Sequence, residues 1–299
     1  MRRAFILAGA AFAACSRGTP QISAISQQDD WQRTVALAAP ARRIVSLAPA
    51  TTELVFALGL GDRLVGRTTW CDWPAAAKSV RDVGNGLGPN VEAVAAQRPD
   101  LVLLYPSETN RAALAQLDGL GIPTAVLKQD AIADWRGTVR WVARAGGVPE
   151  RAESLLADFD RRLAEVVRRP DTGDGIPDSG PTVFIAVGAN PPIAIGAGSF
   201  ISELVTLAGG RNAFADLPGP SGPVSLEAIV ARRPDVVLVL GPDSVIPDVS
   251  RRPGWRAIPA VRLGRVMAVD GGEFNRPSPR LPDAVRALAA RLASLRAAP

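Results

Sequence analysis

The chain has 299 residues, enough for two domains of ordinary size, and 47% of them are apolar, a composition unlike that of disordered sequences. Its net charge of +5 comes from arginines interspersed with acids, not gathered into a stripe, so a nucleic-acid face is not expected. Histidine is absent, which excludes His-built zinc sites, Ser-His-Asp triads and His-ligated haem.

The N-terminus reads MRRAFILAGAAFAAC. Two arginines precede an apolar run of signal-peptide length, too short to span a bilayer. The run ends Phe12-Ala13-Ala14-Cys15, which resembles a lipoprotein lipobox whose acylated cysteine begins the mature chain. Cleavage near Ala14, with Cys15 incidental, is the other reading. Arg2-Arg3-Ala4-Phe5-Ile6 also resembles a twin-arginine signal, so the export route stays open. Either way the protein is expected outside the cytoplasm, with residues 1–15 as leader and 16–40 as a polar tether. An acylated Cys15 leaves Cys71 without an intramolecular partner, so stability must come from packing.

From residue 41, RRIVSLAPATTELVFALGLG reads as a buried strand, a turn and a helix stopped by glycine. The loop TTWCDWP follows, with two of the six tryptophans. NVEAVAAQRPDLVLLYPSE then gives a short helix, a turn and an apolar strand. In LEAIVARRPDVVLVLGP, Glu92-Ala93 and Arg98-Pro99-Asp100 recur in the same spacing as Glu227-Ala228 and Arg233-Pro234-Asp235. TVFIAVGANPPIAIGAGSFISELVTLAGG repeats the first unit, and Glu53 and Glu203 fall early in equivalent helices. Between the copies, PERAESLLADFDRRLAEVVRRP places Leu155, Leu156, Phe159, Leu163, Val166 and Val167 on one helical face.

Strand–helix alternation with apolar strands predicts parallel sheets covered by helices, and a repeat this long predicts two lobes. The expected class is α/β: two similar three-layer α/β lobes with parallel-rich sheets, joined by one long α-helix. Residues 41–146 form the N-terminal lobe, 147–170 the linker helix and 171–299 the C-terminal lobe, with a ligand cleft between the lobes.

No P-loop, nucleophile elbow or metal motif is present. IAIGAGSFISEL begins like a dinucleotide fingerprint, but Ile201 stands where its third glycine belongs. No catalytic residue, metal site or cofactor is expected, and an α/β enzyme is the weaker alternative. Cys71 reads as a small buried residue, since one thiol makes no metal site.

RIVSLAPATTELVFALG, TTWCDWP, NVEAVAAQRPDLVLLY, VGANPPIAIG and FNRPSPRL, in this order, closely resemble the cobalamin-binding proteins of bacterial vitamin B12 ABC importers. The likeness runs from about Arg42 to Leu292 and extends to siderophore and haem carriers of the same helix-strut family. It implies a carrier that captures cobalamin or a related corrinoid and delivers it to a membrane permease and its ATPase, with a lipid anchor if Cys15 is acylated. A monomer is expected. By resemblance Trp70 and Tyr105 are cleft walls, while Trp73 either packs the loop or joins them. Phe274 and Arg276 face the ligand from the second lobe, with Arg276 placed to hydrogen-bond corrin amides or phosphate. Ala50 and Thr51 lie at the first strand–helix turn, and Asn190-Pro191-Pro192 shapes the opposite rim. Glu53 and Glu203 are implied as exposed permease-docking acids, although a helix dipole alone favours acids there. Gly86, Ile193, Ser221 and Glu273 stand where cobalamin binders carry aromatics. That departure leaves a siderophore or haem open: the first would want basic cleft residues, and the second would use Tyr105 as axial ligand.

Overall fold

The computed structural model describes residues 24–167, 180–187, 191–241, 243–269 and 271–297. The leader, Cys15 and Asn190 lie outside them. Residues 25–37, expected as tether, instead form an antiparallel hairpin of β1 (Ile25–Gln28) and β2 (Thr34–Leu37). The reason is a period-two pattern: Gln27, Val35 and Leu37 are buried while Ser26, Thr34 and Ala36 are exposed. Trp141 fastens the hairpin to the lobe, its Nε1 donating to the Gln28 carbonyl at 2.9 Å.

The N-terminal lobe continues with β3 (Ile44–Ser46), α1 (Pro49–Ala57), β4 (Leu64–Arg67), α2 (Val91–Ala95), β5 (Leu101–Leu104), α3 (Asn110–Gly119), β6 (Thr124–Val126) and α4 (Ile132–Ala145). Its strands pair in parallel in the order β4-β3-β5-β6. Then α5 (Pro149–Val167) leads to the second lobe. There the elements are β7 (Thr182–Ala186), β8 (Ile193–Ile195), α6 (Phe200–Leu207), β9 (Arg211–Asn212), β10 (Ser221–Pro223), α7 (Leu226–Arg232), β11 (Val236–Leu240), α8 (Ile246–Arg251), α9 (Pro259–Arg262), β12 (Val266–Val269), α10 (Gly271–Phe274) and α11 (Leu281–Ala297). β7, β11 and β12 are parallel, and β8 and β10 add antiparallel pairings at one side.

Both sheets are covered on both faces. In β5, Leu101 and Leu103 face one core while Val102 and Leu104 face another; in β11, Val236 and Leu238 part from Val237 and Val239 in the same way. One core is shared: it runs from the N-terminal sheet through Leu156 and Phe159 of α5 to Val285 and Leu288 of α11. Each large apolar side chain buried in this way contributes roughly 1.5–3 kcal/mol. The Trp135 and Phe159 ring centres lie 4.7 Å apart with the planes tilted by 40°, and Arg140 of α4 pairs with Glu153 at 2.9 Å. Arg162 reaches Asp283 of α11. Exposed ion pairs add little, so the common core is what sets one lobe against the other. The strut packs into the core of both lobes.

Candidate ligand cleft

A cavity of about 540 Å³ opens between the lobes. Its walls are the segments that follow strands: the β3–α1 turn, the loop after β4, the ends of β5 and β6, the β8–α6 turn and the segment after β12. In open α/β sheets ligands gather at these carboxyl ends.

The loop after β4 shows how the sequence builds one wall. Cys71 is fully buried, within 3.0 Å of the Thr52 hydroxyl and 3.1 Å of the Thr68 hydroxyl. Ser46 and Thr51 join the cluster, their hydroxyls 2.7 Å apart. Anchored from beneath, the loop holds Trp70 out over the cleft with 66% of its surface exposed. Trp73 points elsewhere and carries the Arg280 guanidinium over its ring at 4.6 Å.

Of the residues expected at the site, Ala50, Trp70, Tyr105 and Arg276 line the cleft together. Thr51 does not: its hydroxyl turns inward to Ser46 and to the Ala48 carbonyl. Phe274 is a second correction. It is 3% exposed and packs into the shared core, because the short helix α10 turns it toward α11 while Asn275 and Arg276 face the cleft. The C-terminal lobe presents Phe200 to the cleft instead. Pro191 is exposed and lies outside the lining, as do Ile193 and Ser221. Gly86 does line it, and a Cβ there would sit 2.2 Å from the Leu47 carbonyl oxygen, so an aromatic cannot replace it without backbone movement.

The docking acids are corrected most. Glu53 is 3% exposed and bound across the cleft mouth by the other lobe. Arg280 grips it with two nitrogens, at 2.9 and 3.1 Å, and Arg276 Nε is 2.9 Å away. Glu203 is half-buried and also crosses, accepting the Ile132 backbone N–H at 3.2 Å. Burial raises its pKa, partly offset by that N–H. The two equivalent glutamates thus latch the lobes to each other.

Arg276 is held by both lobes. Besides Glu53 it donates to Asp72 at 2.7 Å, to the Gly272 carbonyl at 2.8 Å and to the Trp70 carbonyl at 3.3 Å. Burial pushes Asp72 up, but the Arg276 hydrogen bond and charge outweigh it and hold its carboxyl below the ordinary 3.8. On the N-terminal side, the Tyr105 hydroxyl donates to Asp130 at 2.5 Å. Burial and that carboxylate push the Tyr105 pKa well above the ordinary phenol value. Sequence reasoning missed Gln129, Asp130 and Phe200. The signal was available for Gln129 and Asp130, which come shortly after β6, a parallel strand whose carboxyl end faces the cleft.

A model of the periplasmic binding protein family matches residues 44–271. The chain belongs to the periplasmic binding protein family. A protein of Pectobacterium carotovorum named as a vitamin B12-binding protein is 32% identical over 263 residues, covering 88% of this chain and 92% of that one. Among solved structures, the periplasmic vitamin B12 binding protein BtuF of Vibrio cholerae is 28% identical with a TM-score of 0.73, covering 86% of this chain and 98% of that one. The periplasmic heme-binding protein RhuT from Roseiflexus sp. RS-1 is also 28% identical, with a TM-score of 0.74, covering 85% and 99%. The fold expected from the sequence, two α/β lobes on a helical strut, agrees with these relatives.

Proposed function

We propose that this binding protein captures a corrinoid, cobalamin or a close relative, outside the cytoplasmic membrane and delivers it to an ABC permease. The carrying observation is the charge of the cleft. Among the described lining residues Arg276 is the one cation, and Glu53 and Asp72 already hold it. Haem propionates and anionic siderophores would find no spare positive charge. A corrinoid asks for less: a broad apolar ring system with neutral amides suits Trp70, Tyr105, Phe200 and Leu87. The cavity lies within the ~300–1,000 Å³ usual for small-molecule sites. Tyr105, the residue a haem iron would take as axial ligand, has its hydroxyl engaged with Asp130 at 2.5 Å.

Glu53 and Glu203 are occupied in holding the lobes, so docking falls to acids that are exposed and equivalent. Glu92 and Glu227 fit: both are exposed, in the first turns of α2 and α7, at matching places in the sequence repeat. Charge reversal at both should abolish uptake and leave ligand affinity intact; undiminished uptake would remove them from the account. The lipobox-like leader supports export and a lipid on Cys15. Gel filtration of the protein with cyanocobalamin, haemin or ferric siderophores tests the ligand. Co-elution of cyanocobalamin alone is expected, and retention of haemin with a Soret band would overturn the assignment.

A further inference from the structure

Two buried side-chain nitrogens among the described residues have no hydrogen-bond partner, Trp135 Nε1 and Gln129 Nε2. Only Gln129 lines the cleft. It is 6% exposed, so its amide carries the desolvation penalty of a buried donor with nothing gained in return. An unsatisfied buried group of this kind calls for an explanation. Its neighbour Asp130 lines the same wall, just beyond the end of β6. One Asp130 oxygen accepts from Tyr105, and the other lies 3.6 Å from Lys128 Nζ. A carboxylate offers about four acceptor sites, so capacity is left over.

We propose that Gln129 and Asp130 form a carboxamide-reading edge in the cleft. Gln129 donates to the carbonyl oxygen of a ligand primary amide, and Asp130 accepts that amide's N–H. The two ends of the Gln129 amide are nearly equal in size, so a half-turn about the last side-chain bond exchanges its donor and its acceptor. The pair is selective: a ligand carboxylate would meet Asp130 with repulsion, and an ester would leave its acceptor idle. This rests on the corrinoid reading, since corrins carry several primary amides around the ring.

The test is calorimetric titration of wild type, Gln129→Leu and Gln129→Glu with cyanocobalamin and with dicyanocobinamide, which keeps the ring amides and lacks the nucleotide. Thermal melting of each ligand-free protein accompanies it. Gln129→Leu should weaken both corrinoids by roughly tenfold or more, while the ligand-free melting temperature holds or rises because an unpaired buried amide has gone. Gln129→Glu should weaken them as much by setting a second carboxylate beside Asp130. Affinities within about twofold of wild type would overturn the inference, as would a loss that tracks a falling melting temperature. Wild type that binds neither corrinoid would overturn the proposed ligand, and this edge with it.

Discussion

Replacing Glu53 by Gln should loosen the grip between the lobes. Gln keeps the size and one acceptor oxygen but removes the charge that Arg276 and Arg280 share. Breaking a buried pair by removing one partner typically costs ~3–5 kcal/mol, because the other charge is left uncompensated. Here the arginines are 12% and 20% exposed and retain Asp72 and Glu273 as further partners. Solvent and those partners reduce the loss, so ~2–3 kcal/mol is expected. For a chain of 299 residues, at roughly 2.1 cal/mol/K of unfolding entropy per residue, that is a fall in Tm of about 3–5 °C. Guanidinium unfolding at neutral pH, with melting as a check, reads the change. A triple variant, Glu53→Leu with Arg276→Met and Arg280→Met, should recover most of it, since apolar packing often matches a buried charge cluster. A Glu53→Gln protein within about 0.5 kcal/mol of wild type would refute the latch.

Two further outcomes follow from the titrating groups. Tyr105 is the single tyrosine of the chain, so ultraviolet difference titration reads it alone. The folded protein should show little tyrosinate at about pH 10, where a free phenol is half ionised, and Asp130→Asn should bring the transition down; half-ionisation near pH 10 in the native protein would contradict the Tyr105–Asp130 bond. Asp72 has a folded pKa below its ordinary 3.8, so its pairing with Arg276 stabilises the protein above that value and is lost as the pH falls through the folded pKa. The Tm gap between wild type and Asp72→Asn should therefore be constant near neutrality and close below about pH 4; a gap that widens in acid would reverse the sign. With the Asp72 side chain 58% exposed, the contribution should stay under ~1 kcal/mol.

The elements most legible in the sequence were those with long apolar periods. The face of α5 was readable because Leu156, Phe159 and Val166 repeat at helical spacing, and β5 and β11 because four or five apolar residues follow Arg-Pro-Asp in each lobe. The β1–β2 hairpin was missed because its strands are four residues long and its buried set includes a glutamine. The cleft was legible where a large ring sits on a loop, as at Trp70. Contacts across the lobes were not. An acid early in a helix reads alike whether it meets solvent, as Glu92 does, or two arginines from the other end of the chain, as Glu53 does. The side of Phe274 was unreadable for a similar reason: a helix of four residues carries no period by which to tell its buried face.

On the proposed reading a neutral corrinoid lies against Trp70, in a cleft whose one cation among the described lining residues is already paired. Titrating the protein with cyanocobalamin, following tryptophan fluorescence and heat together at low and high salt, tests it most directly. One-to-one binding, indifferent to salt and lost in Trp70→Ala, is the predicted result. No heat and no quenching with cyanocobalamin, together with salt-sensitive binding of haemin or a ferric siderophore, would contradict it.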